Sequence, residues 1–192
     1  MTPRPRVVLI EGSLGGARGN TRVVADRARE ALLPSVAVDR IVLARKPGFA
    51  AHRQVLEAAS GFVFLTGTYW DSWSSHLQHF LEEATPTETT GLWLGKPAAV
   101  LVTEHSVGGK GVVSRLQGVL CTLGCLLPPT SGVVISKIVT LHSKRAAKGH
   151  EDFFGLSDVD VACRNVLAAI HGTPYRAWEV DRGNPKAKWL RP

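Results

Sequence analysis

Residues 7–24 read VVLIEGSLGGARGNTRVV. Four contiguous apolar residues, Val7–Ile10, run into a stretch holding Gly12, Gly15, Gly16 and Gly19. A helical pattern follows, in which Val24, Ala28, Ala31 and Leu32 recur at three- and four-residue spacing. A strand, a glycine-rich turn and a helix in this order present backbone N–H groups at a helix start. The helix dipole adds positive potential there, and small side chains let an anion come close. Ser13, Asn20 and Thr21 add hydroxyl or amide donors, and Asn20 or Thr21 is placed to cap the helix. The stretch reads as a phosphate cradle, with a plain glycine-rich turn as the alternative for the loop taken alone. It is not a Walker loop, because no Lys-Ser/Thr pair closes it, and its glycine spacing does not fit G-x-G-x-x-G. Asp39 stands at a distance that suggests a ribose contact, but it falls inside the second strand rather than at its end.

Outward from this unit the alternation continues. Residues 35–43, 61–67, 96–104 and 132–139 are the further strand candidates. Between and after them come a short helix around 51–59 and a helical face of Trp73, Leu77, Phe80, Leu81 and Ala84. Another face consists of Val113, Leu116, Leu120 and Leu123, and a last one runs from Val159 to Ile170. Strands apolar on both faces must be covered on both, and intervening helices supply right-handed crossovers. The pattern predicts one α/β domain over residues 1–172, an open five-stranded parallel sheet with helices on both faces, and a basic tail over 173–192. In such a sheet ligands bind beyond the carboxyl ends of the strands, at the switch point. That directs attention to three loops, 11–21, 66–75 and 103–111.

Composition sets limits on the function. The chain has 192 residues and a formal net charge of +7, which favours anionic partners. Basic residues thicken at 142–150 and 182–191, but only the tail, with Trp189, interleaves an aromatic, so nucleic-acid binding is not expected. Apolar runs are too short for a membrane span or a signal peptide. Cys121, Cys125 and Cys163 form no CxxC pair and no disulfide framework, and the cytoplasm is the expected compartment. Cys121 and Cys125, one helical turn apart, read as buried structural thiols. His76 and His79 are spaced for a metal, but no third ligand is in sight, and no metal is expected. Glu82 and Glu83 read as a solvated helix end.

The second loop opens a segment reading TGTYWDSWSSHLQHFLEEA (66–84). Tyr69 and Trp70 directly follow a buried strand, where flat aromatic side chains suit a flat conjugated ligand. Ser72 or Ser74 is placed to cap the next helix, and Trp73, in register with Leu77, reads as packing under the loop. The third loop, TEHSVGGKG (103–111), again combines glycines with a donor, Ser106, and a cation, Lys110.

GSLGGARGNT, TYWDSWSSHLQHFLEEA and GKPAAVLVTEHSVGGKGVVSRLQGVLCTLGC together resemble the flavodoxin-like superfamily, and within it the NAD(P)H-dependent FMN reductases. The resemblance covers roughly residues 6–137. It implies FMN as cofactor, with the phosphate held by Ser13, Gly19, Asn20 and Thr21. It places Thr68, Tyr69, Trp70 and Asp71 along the isoalloxazine and ribityl, and Glu104, His105, Ser106, Gly108 and Gly109 at the border of the ring. The family usually has proline where Gly67 or Thr68 stands here. The implied activity is hydride transfer from NADPH or NADH to the flavin, then to a small acceptor such as a quinone, free flavin, azo compound or metal ion. No acid–base constellation stands out, as expected when the cofactor carries the redox chemistry. Arg18 and Lys110 lie in loops expected to border one crevice, which favours the 2′-phosphate of NADPH, with plain solvation as the alternative for both. A homo-oligomer is expected, with Trp93 helping to cover the flavin. Two readings of other classes stand beside this one: a flavodoxin-type electron carrier, and a flavodoxin fold that binds a nucleotide or partner without turnover.

Overall fold

A computed structural model describes residues 4–138 and 155–175. The basic stretches at 142–150 and 182–191 lie outside these residues. Five strands, β1 (Arg6–Glu11), β2 (Ala37–Val42), β3 (Gly61–Gly67), β4 (Ala98–Glu104) and β5 (Gly132–Ser136), form one parallel sheet in the order β2-β1-β3-β4-β5. The helices are α1 (Asn20–Leu32), α2 (Arg53–Glu57), α3 (Ser75–Ala84), α4 (Gly109–Leu123) and α5 (Leu156–His171). This is the flavodoxin-like α/β fold. The chain leaves β1 toward β2 on one side and returns to β3 on the other, so the crevice opens between the carboxyl ends of β1 and β3.

Alternation along each strand divides the core in two. Val8, Ile10, Phe62, Phe64, Val100 and Val102 face α3 and α4. Val7, Leu9, Val63, Leu65, Ala99 and Leu101 face α1 and α5. All seven residues of β3, the central strand, are buried. Each fully buried aliphatic or phenylalanine side chain contributes about 1.5–3 kcal/mol of transfer free energy, so both layers are needed to hold the strand ends in register.

Element ends differ from the sequence expectation where glycine hides a helix. α4 begins at Gly109, ahead of Val113, and β5 stops at Ser136 rather than 139. One local expectation is corrected. Trp93 does not cover a ligand: it is fully buried among Phe49, Phe62 and Phe64, and its indole N–H donates to Thr87 Oγ1 at 2.8 Å. Glu82 and Glu83 are exposed at the end of α3, as expected, and Glu83 has partners as well. It accepts from the Phe49 amide at 2.6 Å and pairs with His79 at 3.2 Å, anchoring the segment before α2 to α3.

Candidate active site

The first loop is built by close backbone approach. Gly12 follows β1 and donates its N–H to Leu65 O at 2.7 Å. A Cβ on Gly12 would lie 2.6 Å from the Leu77 Cβ, so glycine lets α3 sit against the loop. Ser74 caps α3, accepting from Leu77 N at 3.2 Å, and its hydroxyl donates to Gly12 O. Beyond Ser13 the chain makes one 3₁₀ turn, Gly16–Arg18, with Gly16 N–H donating to Ser13 O and Gly19 N–H to Gly16 O.

The residue at the N-cap of α1 is Gly19, and no side chain caps the helix. The expectation that Asn20 or Thr21 caps it is corrected: both lie inside the helix, and the Thr21 hydroxyl bonds to that of Thr103 at 2.9 Å. First-turn amides have no intrahelical partner. Ser13 is 2 % exposed and its Oγ has no hydrogen-bond partner among the described residues. A buried hydroxyl without a partner is costly, and this one lies in the loop leading to an uncapped helix start. That donor set suits a phosphate.

The second loop is a tight hairpin. Tyr69 and Ser72 exchange backbone bonds of 2.8 and 2.9 Å, and Trp70 and Asp71 between them have φ of +49° and +57°. Such a two-residue turn needs positive φ at both central positions and usually takes Asn-Gly, so this one is strained, as functional loops often are. Trp70 projects fully into solvent. The Tyr69 ring lies over Gly67, and its Oη accepts from the Leu14 amide at 2.9 Å. The Thr68 Oγ1 is buried without a partner among the described residues.

In the third loop Glu104 Oε2 accepts from the Gly109 amide at 2.6 Å. Asp71 Oδ1 packs against Gly108, whose φ of +95° and lack of a Cβ permit the approach. Two carboxylates therefore flank the start of α4, which disfavours an anion there and makes the start of α1 the more favourable helix end for one. His105 and Ser106 are exposed on the rim, where Leu14, Trp70 and Val107 also show apolar surface. The structure thus gathers Ser13, Gly19, Asn20, Thr21 and Tyr69 at one end of the crevice. Thr68, Asp71, Glu104, Gly108 and Gly109 converge where the second and third loops meet.

Sequence reasoning missed Leu14, which contributes its amide, and Thr103. A hydroxyl ending the apolar run AAVLVTE is the signal that points to Thr103. It also missed Glu11, fully buried under the first loop. Glu11 Oε2 accepts from Arg40 Nε at 3.0 Å, and Arg40 also bonds Asp26 of α1 at 2.8 Å, tying β1, β2 and α1 together. Asp39 is inside β2, as expected, and pairs with Arg6. Arg18 and Lys110 are exposed.

Cys125 and Cys163 are buried, and burial pushes both thiols up to about 12, so neither is a thiolate at neutral pH. Cys121 is exposed, which corrects the expectation that it is buried with Cys125. Among the described residues no three His, Cys, Asp or Glu side chains are grouped to hold a metal, and no helix is long and apolar enough to cross a membrane.

A profile of the NADPH-dependent FMN reductase family matches residues 5–140, and the chain belongs to that family. Comparison with curated proteins finds no match. Among solved structures, RosB with bound 8-demethyl-8-formylriboflavin-5′-phosphate is 13% identical, with a TM-score of 0.70, over 97% of this chain and 95% of that one. The NADH:FMN oxidoreductase EmoB in its apo form is 17% identical, with a TM-score of 0.63, over 90% of this chain and 91% of that one. A flavodoxin, WrbA-like protein from Agrobacterium tumefaciens is 15% identical, with a TM-score of 0.64, over 88% of this chain and 98% of that one. At these identities the likeness is one of fold.

Proposed function

We propose that this protein is an FMN-dependent oxidoreductase that takes a hydride from NAD(P)H and passes it to a small acceptor such as a quinone or free flavin. The observation that carries this reading is the buried Ser13 hydroxyl, without a partner among the described residues, in the loop leading to the uncapped start of α1, at the switch point of the sheet. In this reading the Ser13 and Thr21 hydroxyls and the first-turn amides of α1, at Asn20 and Thr21, hold the phosphate. Thr68 and Trp70, with the rim residues His105 and Ser106, border the ring. FMN supplies the two-electron chemistry when bound, and the chain supplies binding, orientation and field. Arg18 and Lys110, both exposed, would favour the 2′-phosphate of NADPH over NADH if they border the nucleotide site.

The electron-carrier reading is weaker, because a carrier docking basic partners would be acidic and this chain carries +7. Residues 1–172 form the flavin domain in this account, with 173–192 as a basic appendage, and the unpaired cysteines fit the cytoplasm.

The protein is also proposed to be a homo-oligomer. A groove of about 570 Å³ between α3 and α4, lined by Trp73, Leu81, Glu88, Arg115, Val119 and Leu123, offers apolar surface with both signs of charge for a second copy. One experiment tests cofactor and assembly together: gel filtration with light scattering after incubation with FMN. The expected result is a yellow peak with a mass above the 20.7 kDa of one chain. A colourless peak would favour the non-catalytic reading, and a yellow peak at 20.7 kDa would reject the oligomer.

A further inference from the structure

We propose that Tyr69 is a latch on the phosphate cradle, its hydroxyl holding the Leu14 amide until a phosphate oxygen replaces it. This rests on the FMN reading above and adds a regulatory step to that site. The Leu14 amide directly follows Ser13, whose hydroxyl has no partner among the described residues, so the two donors are adjacent on one loop. The Leu14 N–H instead donates to Tyr69 Oη at 2.9 Å, across 55 residues of sequence.

The latch is specifically built. Tyr69 reaches the first loop because Gly67 has no side chain: a Cβ there would lie 3.1–3.2 Å from the phenol ring. The hairpin bonds to Ser72 fix the Tyr69 backbone, so the ring projects toward the cradle rather than along the crevice rim. A phosphate dianion accepts a charge-assisted hydrogen bond from an amide, a stronger bond than a neutral phenol offers. Phosphate therefore wins the exchange. Until it does, the latched fraction lowers the apparent affinity, and opening limits the rate of binding at high ligand concentration.

Full-length protein and its Tyr69→Phe variant, which keeps the ring and removes the hydroxyl, are mixed with FMN and with riboflavin in a stopped-flow instrument. Quenching of flavin fluorescence is followed. The wild-type rate is expected to level off at high FMN, whereas the variant's rate rises linearly. The variant is expected to bind FMN about two- to tenfold more tightly, the shift given by losing one competing hydrogen bond. Riboflavin, lacking the phosphate, is expected to bind both proteins alike. Equal or weaker FMN binding by Tyr69→Phe overturns the latch, and weaker binding would make Tyr69 a phosphate ligand instead. An equal gain for riboflavin also overturns it, by placing Tyr69 at the ring. A wild-type chain that binds neither flavin defeats the FMN reading first, and the latch with it.

Discussion

Trp93→Ala is expected to lower the free energy of unfolding by about 4 kcal/mol, the middle of the range for truncating a buried aromatic. The indole sits with its ring centroid 4.8 Å from that of Phe62 and 6.3 Å from those of Phe49 and Phe64. The side chain is fully buried, and truncation removes most of its volume from the layer between the sheet, α3 and the turn before β4. It also leaves the Thr87 hydroxyl, which donates to Ala84 O at 2.6 Å, without its indole donor. Trp93→Phe keeps one aromatic ring but loses the N–H and the rest of the indole bicycle, so its cost is expected to be smaller, roughly 2 kcal/mol. Urea unfolding of the three proteins checks this. A loss for Trp93→Ala below about 1 kcal/mol would mean that Trp93 is not in the core, and would return it to the solvent-facing role its position in a loop suggests.

The second large effect concerns the cradle. Ser13→Ala together with Thr21→Ala is expected to weaken FMN binding by roughly 1.5–3 kcal/mol for each charge-assisted bond lost, while riboflavin binding changes little. The structure separates the two contributions. Ser13 has a hydroxyl with no partner among the described residues, so Ser13→Ala removes no internal bond and would remove only the proposed phosphate donor. The Thr21 hydroxyl is shared with Thr103 at 2.9 Å, so Thr21→Ala acts in part through the tie between α1 and β4. The single variants should therefore differ: Ser13→Ala affects FMN alone, whereas Thr21→Ala also reduces stability. Isothermal titration with both flavins, beside thermal unfolding, reads out each part. Equal losses for FMN and riboflavin would remove Ser13 from the phosphate.

Much of the fold was legible because its signals are local. Val7–Ile10, the glycines after it and the period of Val24, Ala28 and Leu32 identify one strand–turn–helix unit without any tertiary information. Repetition of that unit gives the parallel sheet, and the sheet gives the crevice. What was not legible depends on pairs far apart in sequence. Leu14 meets Tyr69 across 55 residues and Thr21 meets Thr103 across 82, and neither spacing leaves a periodic trace. Trp93 lies in a turn-rich segment, and only the packed structure shows that the segment folds inward. At the start of α1, propensity favoured Asn20 or Thr21 as the cap. The chain uses Gly19 instead, which leaves the helix end open to a ligand rather than satisfied by its own side chain. At α4 the opposite holds. Gly108 and Gly109 resemble a second ligand loop, but Glu104 accepts from the Gly109 amide and Asp71 packs against Gly108, so negative charge already stands there.

The most direct test of the account is anaerobic stopped-flow reduction of the FMN-loaded protein by NADPH and by NADH, followed by bleaching of the flavin absorbance across a salt series. Reduction by both nucleotides is expected, faster with NADPH at low salt. The advantage should shrink as salt screens Arg18 and Lys110, both exposed, over a length of about 10 Å at 0.1 M ionic strength. Equal rates at low salt would remove those two side chains from the nucleotide site. A bound flavin that neither nucleotide bleaches would contradict the reductase reading and leave the electron carrier in its place.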